Sequence, residues 1–205
     1  ISHTLAVCRE NGMDLRFISR EEYRNISQNK FPEMLKRKYG DCTVVPEGGY
    51  SPQGAKGASH IMDHILDKSI THICTATGTA TTLTGLLMKK QLHQEIISVP
   101  VLKNMTDTNE RIRYLYPQSE VCYPVVFDEY HFGGYAKYTP ELIGFMNDFY
   151  TDHGIPTDFV YTAKLLYAIT DKIKKGYFKK GSNILCLHTG GLQGNKSLES
   201  GTFNF

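Results

Sequence analysis

The sequence predicts an α/β fold, an open, twisted, mostly parallel β-sheet with helices on both faces. Short, almost wholly apolar runs alternate with segments of helical pattern, which is typical of strands buried on both sides. Three of these runs end in glycines and hydroxyl residues, as strand ends do where an open sheet forms a ligand crevice. The three ends are residues 46–49, 78–82 and 189–191.

The bulk composition restricts the possible partners. The chain has 205 residues, 40% hydrophobic and 21% charged, which is ordinary for a soluble globular protein with a sizeable core. With 23 basic and 21 acidic residues, the net charge of +2 argues against nucleic acid as the main partner. No apolar stretch approaches the roughly 20 residues of a membrane span, so we expect no membrane partner.

The cysteines favour a reducing compartment. Their number is odd, no pair forms a C-x-x-C motif, and they are spread over the sequence at positions 8, 42, 74, 122 and 186. Cys74 and Cys186 lie inside apolar runs, as buried free thiols do. We therefore expect a cytoplasmic protein.

The first 40 residues predict only part of a domain. A helix over 3–10 is followed by an alternating strand over 14–18. Ser19 and Glu22 have the spacing of a capping box, which opens a helix that continues to Lys36 and ends at Gly40. One strand and two helices are too little for a domain. We expect residues 1–40 to be the remainder of a small domain whose N-terminal part is missing, and residues 41–205 to be a large domain.

The large domain is predicted element by element from the alternation of patterns. The strands are 42–45, 71–75, 95–101, 122–127 and 182–187. A glycine-rich loop spans 46–57, and the helices are 58–69, 83–91, 107–115, 140–153 and 162–175.

The segment 78–82 has the composition of a phosphate-binding turn. Glycine and small residues expose backbone amides, the following helix adds its positive end, and three threonine hydroxyls can donate. It is neither a Walker loop nor a G-x-G-x-x-G fingerprint. On this motif alone, a well-capped strand–helix turn remains the simpler interpretation.

Two further strand ends could contact a ligand. The hydroxyl of Thr189 can hydrogen-bond a ring nitrogen without charging it, and the alternative is a helix cap or a turn. The segment 47–49 could bring backbone close to a flat ligand, and the alternative is a long surface loop.

Four segments together carry a family resemblance. Residues 46–57, 77–86, 158–164 and 187–191 resemble, in order and spacing, motifs of the fold-type II pyridoxal-phosphate enzymes, the tryptophan synthase β superfamily. The chain is most similar there to the 1-aminocyclopropane-1-carboxylate deaminase and D-cysteine desulfhydrase family. The resemblance extends over residues 1–194.

This resemblance implies roles for individual residues. The cofactor would be pyridoxal 5'-phosphate, with Thr189 facing its pyridine nitrogen beside Gly190. Tyr161 would lie at the substrate and transfer a proton, and Tyr135 would be a second catalytic tyrosine. The reaction would release ammonia and a 2-oxo acid from a small amino acid, and the protein would be a homodimer. The cofactor phosphate would be bound by Gly78, Thr79, Ala80, Thr81 and Thr82.

The sequence departs from the family pattern in one important respect. The Asn-Lys motif with the Schiff-base lysine, and the Ser-Asn-His segment that binds the substrate carboxylate, do not occur before Pro46. Asn195-Lys196 comes too late in the chain, and Lys56 and Lys164 do not match the Schiff-base position. Two alternatives therefore stay open: a catalytically inactive relative or fragment that binds a phosphate-bearing ligand only, and an unrelated nucleotide- or sugar-phosphate-binding domain.

Other catalytic classes are not supported. His60 and His64 have the spacing of a helical zinc pair, but Ile61 stands where a zinc protease needs glutamate, so we expect no metal site. The sequence also has no G-x-S-x-G elbow of an esterase.

Overall fold

The computed structural model describes residues 2–26, 31–118 and 122–205. The chain divides into two compact units, Ile1–Glu47 and Gly48–Phe205. That residues 1–40 are the remainder of a small domain and 41–205 a cofactor-binding domain stays a prediction.

The described residues of the first unit form three helices: α1 (His3–Glu10), α2 (Arg20–Ile26) and α3 (Phe31–Tyr39). The capping box is confirmed: Glu22 N donates to Ser19 Oγ at 3.1 Å, and Ser19 N donates to the Glu22 carboxylate at 2.7 Å. The predicted strand 14–18 is wrong. No strand of the described residues lies beside it to share backbone hydrogen bonds, and Phe17 is 71% exposed. The prediction of one continuous helix depends on residues 27–30, which lie outside the described residues.

The second unit contains a parallel sheet, as predicted. Its strands are β1 (His72–Thr77), β2 (Glu95–Pro100), β3 (Val125–Val126) and β4 (Ile184–Cys186). They lie in the order β3-β2-β1-β4, and every adjacent pair is parallel. The predicted strand 42–45 is wrong, since this segment pairs with no strand of the described chain and Val45 is 77% exposed.

In the part of this unit that the structure describes, five helices surround the sheet: α4 (Pro52–Ser59), α5 (Thr81–Lys89), α6 (Thr108–Leu115), α7 (Pro140–His153) and α8 (Thr162–Lys174). Short 3₁₀ turns lie at Glu47–Gly49, His60–His64, Asp128–Tyr130 and Leu192–Ser197. The loop predicted over 46–57 and the helix predicted over 58–69 are both wrong in their bounds. Ser51 Oγ accepts from Gly54 N at 3.0 Å and caps a helix that begins at Pro52 and ends at Ser59.

The core lies on both faces of the sheet. Neighbouring strand residues point in opposite directions, so Ile73 belongs to one apolar cluster and Cys74 to another. The Ile73 cluster contains buried residues of α4, α5 and α6, and the Cys74 cluster contains Leu165, Ala168 and Ile169 of α8. The prediction of helices on both faces is therefore confirmed.

Helices α4 and α5 approach each other at Gly85. A Cβ atom on Gly85 would lie 2.6 Å from Ser59 N and 2.7 Å from Ala55 O, distances that real Cβ atoms do not reach. The absence of a side chain thus lets α5 pack backbone to backbone against α4, with its N-terminus at the carboxyl end of β1. In the ranges that the structure describes, no helix is both long enough and apolar enough to cross a membrane.

Candidate active site

A cavity of about 290 Å³ lies where β1 ends and α5 begins. It gathers eight of the residues singled out from the sequence, which come from three separate segments between Gly78 and Gly190. These are Gly78, Thr79, Ala80, Thr81, Thr82, Tyr161, Thr189 and Gly190. Gly48 and Gly191, from the two other glycine motifs, line it as well, and Gln193 was not anticipated. The roles of these residues stay predictions, but their convergence on one site is a property of the fold.

The N-terminus of α5 gives the cavity its character as an anion site. The amides of a first helical turn have no acceptor within the helix, and here no side chain caps them. Ala80, the residue before the helix, has φ +68°, a left-handed conformation that is rare outside glycine. Strain of this kind is concentrated at functional sites, and uncapped amides with a helix dipole behind them favour an anion.

Two threonine hydroxyls lie at this end of the helix and bind each other and the Gly48 turn. Thr79 Oγ1 lies 2.9 Å from Thr81 Oγ1 and donates to the carbonyl of Gly48 at 3.3 Å. A hydroxyl has one hydrogen, so Thr81 is the donor to Thr79 when Thr79 donates to Gly48. Gly48 has φ +61°, and a Cβ there would lie 2.6 Å from Thr79 Cγ2, so only glycine brings this turn against the site.

The two predicted catalytic tyrosines lie next to each other. Tyr161 lines the cavity, and its ring packs against Gly78, where a Cβ would come within 3.3 Å of Tyr161 Cε1. The Tyr135 ring meets it edge to face, with centroids 6.0 Å apart. Tyr135 is 54% exposed and is not among the residues that line the cavity.

Asp158 positions the segment that carries Tyr161. Its buried carboxylate accepts from the backbone N–H groups of Val160 at 2.9 Å, Tyr161 at 2.8 Å and Thr162 at 2.9 Å, and from the Thr162 hydroxyl at 2.7 Å. The same carboxylate lies against Gly191, where a Cβ would be 3.0 Å from Asp158 Cγ. Asp158 therefore connects the α8 N-terminus with the Thr-Gly-Gly turn.

Two more polar side chains hold these segments together. Asn195 Nδ2 donates to Thr157 O at 2.9 Å, while Asn195 Oδ1 accepts from Phe159 N at 3.3 Å. His188 Nε2 lies 2.8 Å from Pro156 O, and Gly190 N donates to His188 Nδ1 at 3.3 Å, which indicates the Nε2–H tautomer. The sequence contained these residues within or beside its motifs but gave no signal for their contacts.

None of the described residues that line the cavity is a lysine or a carboxylate. Lys56 is exposed on α4, and Lys164 is wholly buried in α8, where its Nζ donates to backbone carbonyls. Burial lowers the pKa of Lys164 to about 8, and the nearby charge of Asp158 opposes this shift.

No group of three or more potential metal ligands occurs among the residues with described positions. His60 and His64 lie on a 3₁₀ turn and not on the α-helix predicted for them, so a spacing of four does not place them on one face. His60 Nδ1 instead lies 2.9 Å from Asp63 Oδ2.

Comparison with known proteins identifies relatives over most of the chain. No protein-family model matches it. A Pyrococcus horikoshii protein named "Putative 1-aminocyclopropane-1-carboxylate deaminase" is 33% identical over 187 residues, 84% of this chain and 54% of the relative. A Thermotoga maritima protein of the same name is 27% identical over 89% of this chain and 63% of its own length. A third relative is the Arabidopsis thaliana mitochondrial bifunctional D-cysteine desulfhydrase/1-aminocyclopropane-1-carboxylate deaminase. It is 27% identical over 93% of this chain and 52% of its own length. The chain thus spans roughly half to two thirds of the length of these curated relatives.

Solved structures agree with the sequence relatives. The crystal structure of an ACC deaminase homologue superposes with a TM-score of 0.79 at 25% identity, covering 95% of this chain and 63% of that one. An O-ureido-L-serine synthase shares the fold, with a TM-score of 0.57 at 14% identity over 97% of this chain and 64% of the other. The predicted motifs meet at one cavity, and relatives are found by both sequence and structure, so the resemblance of this chain to proteins named 1-aminocyclopropane-1-carboxylate deaminase is confirmed in sequence and in fold.

Proposed function

We propose that the cavity binds pyridoxal 5'-phosphate in an enzyme that deaminates a small amino acid of the 1-aminocyclopropane-1-carboxylate or D-cysteine type. The products are ammonia and a 2-oxo acid, with sulfide in addition from D-cysteine. One observation carries the proposal: eight of the nine residues that the family resemblance assigns to cofactor and substrate surround a single cavity at the end of β1, and the ninth, Tyr135, contacts Tyr161.

The phosphate fits the uncapped N-terminus of α5. The amides of the first turn and the Gly78 backbone supply donors on one side of the cavity, where the hydroxyl of Thr82 also lies. The hydroxyls of Thr79 and Thr81 would turn from their present acceptors to the phosphate when it binds. Together with the helix dipole they favour a dianion without a lysine or arginine.

The ring end of the cofactor fits the Thr189 side of the cavity. Thr189 would hold the pyridine nitrogen through a neutral hydroxyl, and the described lining residues include no carboxylate that would protonate it. When bound, the cofactor withdraws electrons from the amino acid at its Cα. A neutral partner tempers that withdrawal, which favours elimination from the substrate side chain.

We assign the proton transfer to Tyr161. Its ring lies over Gly78 at the cavity wall, and Asp158 fixes its backbone amide. The Tyr161 hydroxyl takes or returns a proton on the substrate, and Tyr135, edge to face with it, limits the access of water on the open side. We further propose a homodimer in the cytoplasm, on the strength of the family resemblance and the cysteine pattern.

A second candidate is a protein that binds a phosphate-bearing ligand without turnover. It is favoured by the absence of lysine from the described lining of the cavity, since the family chemistry needs a lysine to hold the cofactor. The anion site would be the same in both cases.

The test uses the full-length protein with pyridoxal 5'-phosphate, followed by borohydride reduction, peptide mapping and assays of both amino acids. The enzyme proposal expects one stable lysine adduct per chain, with ammonia and 2-oxo acid in equal amounts. Phosphate-dependent binding without adduct or product would support the second candidate. An adduct on Lys164 would contradict the site as assigned, because its Nζ is bound to backbone carbonyls away from the cavity.

A matched pair of α5 variants tests the phosphate site. Thr81→Val removes a hydroxyl that lines the cavity, whereas Thr84→Val removes one that donates to Ala80 O within the helix at 2.8 Å. A hydrogen bond to a charged group contributes about 1.5–3 kcal/mol, so Thr81→Val should weaken cofactor binding about 10- to 100-fold. Equal affinities for the two variants would refute this assignment.

A further inference from the structure

The ammonium group of Lys164 joins two turns of the segment 131–137. Lys164 lies in the first turn of α8 and is 0% exposed. Its Nζ donates to His131 O at 2.9 Å and to Gly134 O at 2.8 Å. No part of the proposed reaction uses this buried cation.

Both acceptor carbonyls already close backbone turns. Gly134 N donates to His131 O at 3.0 Å, and Lys137 N donates to Gly134 O at 3.1 Å. Each carbonyl has two lone pairs and therefore accepts twice, once from the backbone and once from Lys164. The cation thus lies where two consecutive turns meet.

The backbone of these turns is strained. Phe132 and Ala136 have φ +50° and +52°, and the glycines between them have φ +94° and +117°. For residues other than glycine, such conformations cost about 1–2 kcal/mol each and persist where the surroundings enforce them. Helix α8 contacts this path in two ways: Lys164 donates its two hydrogen bonds, and the Tyr167 ring meets the Phe132 ring edge to face with centroids 5.0 Å apart. Of the two, only Lys164 binds the backbone of the turns.

Tyr135 lies inside the second of these turns. Its side chain is 54% exposed, so burial alone does not fix the direction of its ring. The ring nevertheless meets Tyr161 edge to face at the mouth of the cavity. The position of the Tyr135 ring therefore depends on the backbone of the turn that contains this residue.

We propose that Lys164 is a positioning residue, which ties the turns 131–134 and 134–137 to α8 and so holds Tyr135 beside Tyr161. An apolar side chain of the same length would fill the space, but it would leave two carbonyls without their second donor. The part of this inference that concerns turnover rests on the proposed function, whereas the attachment of the turns does not.

The first test measures hydrogen exchange in the full-length protein. Lys164→Met removes the two bonds, and Lys172→Met is the matched control, because it removes a cation from the same helix that pairs with Glu129 at 2.7 Å. Lys164→Met should speed exchange of the amides of Gly134 and Lys137 by about tenfold or more, with α5 and β1 unchanged, and the control should leave these turns as they are. Unchanged turns in Lys164→Met would overturn the proposal.

A second variant guards against simple loss of folding. Lys164→Arg keeps the charge and the donors, so it should restore at least part of the slow exchange. If Lys164→Met does not fold, Lys164→Arg decides the question. Amides of the turns that exchange in Lys164→Arg as fast as amides without hydrogen bonds would show that the side chain does not hold the turns, and the proposal would be wrong.

The last test is a double-mutant cycle on turnover with Tyr135→Ala, which removes the ring that contacts Tyr161. If Lys164 acts through Tyr135, the double variant should be slower than Tyr135→Ala by less than about twofold, with cofactor affinity unchanged. If the two substitutions lower kcat independently, so that their effects multiply in the double variant, Lys164 has a purely structural role and the positioning role is wrong. If the protein neither binds pyridoxal phosphate nor turns over, the proposed function fails, and the exchange experiment still decides whether Lys164 holds the turns.

Discussion

The aromatic ring of Tyr161 lies against the α-carbon of Gly78. A methyl group placed there would come within 3.3 Å of Tyr161 Cε1 and 3.5 Å of its hydroxyl oxygen. Gly78 follows the last residue of β1, while Tyr161 precedes α8, so this contact joins the phosphate end of the cavity to its proposed acid–base residue. The glycine is needed here for space.

Gly78→Ala should therefore displace the Tyr161 ring. We expect kcat to fall about tenfold and cofactor affinity to fall less. Displacing a catalytic group slows the reaction more than a small shift of the cavity wall weakens binding. Steady-state kinetics and a cofactor titration measure the two effects. Gly57→Ala on α4, where an added Cβ meets nothing within 4 Å, is the control and should leave both values unchanged. A Gly78→Ala enzyme with wild-type kcat would contradict the role of Tyr161.

Asp158→Asn should destabilise the fold at the α8 N-terminus. The carboxylate accepts four hydrogen bonds, and the amide nitrogen of asparagine would face N–H donors. We expect a loss of about 1–3 kcal/mol in the free energy of unfolding, measured by urea denaturation. Asp148→Asn, at an exposed position of α7, should stay within about 0.5 kcal/mol of the parent protein. Equal losses in both variants would refute the anchoring role of Asp158.

The two glycines of the Thr-Gly-Gly turn should differ in tolerance. Gly190 and Gly191 have φ +86° and +97°, so alanine is strained at either position. At Gly190 an added Cβ meets nothing within 4 Å, whereas at Gly191 it would lie 3.0 Å from Asp158 Cγ. Urea denaturation should show Gly191→Ala to be less stable than Gly190→Ala by about 1–3 kcal/mol, the usual cost of overpacking. Equal stabilities would mean that the Asp158 side chain moves aside without a loss in the free energy of unfolding.

Lys164 should make stability depend on pH in the alkaline range. Burial lowers its pKa in the folded protein to about 8 from the ordinary 10.5. Between these values the unfolded chain holds more protons on this residue than the folded one, so the contribution of Lys164 to stability rises with pH. The difference in unfolding free energy between the parent and Lys164→Met should therefore shift in favour of the parent from pH 8 to 10.5. A constant difference would show that Lys164 titrates normally.

The sequence predicted β1 and β2 because strands buried on both faces leave continuous apolar runs. The same rule failed at residues 14–18 and 42–45, since an extended pattern does not reveal whether a partner strand lies beside it. Helix α4 was missed because its glycines indicated a loop, although Ser51 and Pro52 together were a start signal that could have been used.

That residues 78–82 line one cavity was predictable because they are consecutive in the chain, and their role in binding a phosphate stays a prediction. The supporting contacts were not predictable, because they join residues far apart in sequence: Lys164 with His131, 33 positions away, and Asn195 with Thr157, 38 positions away. Nothing in the local sequence pattern around Lys164 distinguishes a buried lysine that binds backbone carbonyls from an exposed lysine on a helix surface. Such contacts depend on tertiary packing, which periodicity does not encode.

The backbone contact between α4 and α5 at Gly85 has a consequence for how mutational maps of this protein are read. In a library of every single substitution, position 85 will score as severely as the residues that line the cavity, although it is buried between two helices and lines no part of it. A map of mutational sensitivity would therefore combine effects on folding with effects on the reaction. Separating the two requires a measure of protein abundance alongside activity, because position 85 will lower the first and the cavity threonines only the second.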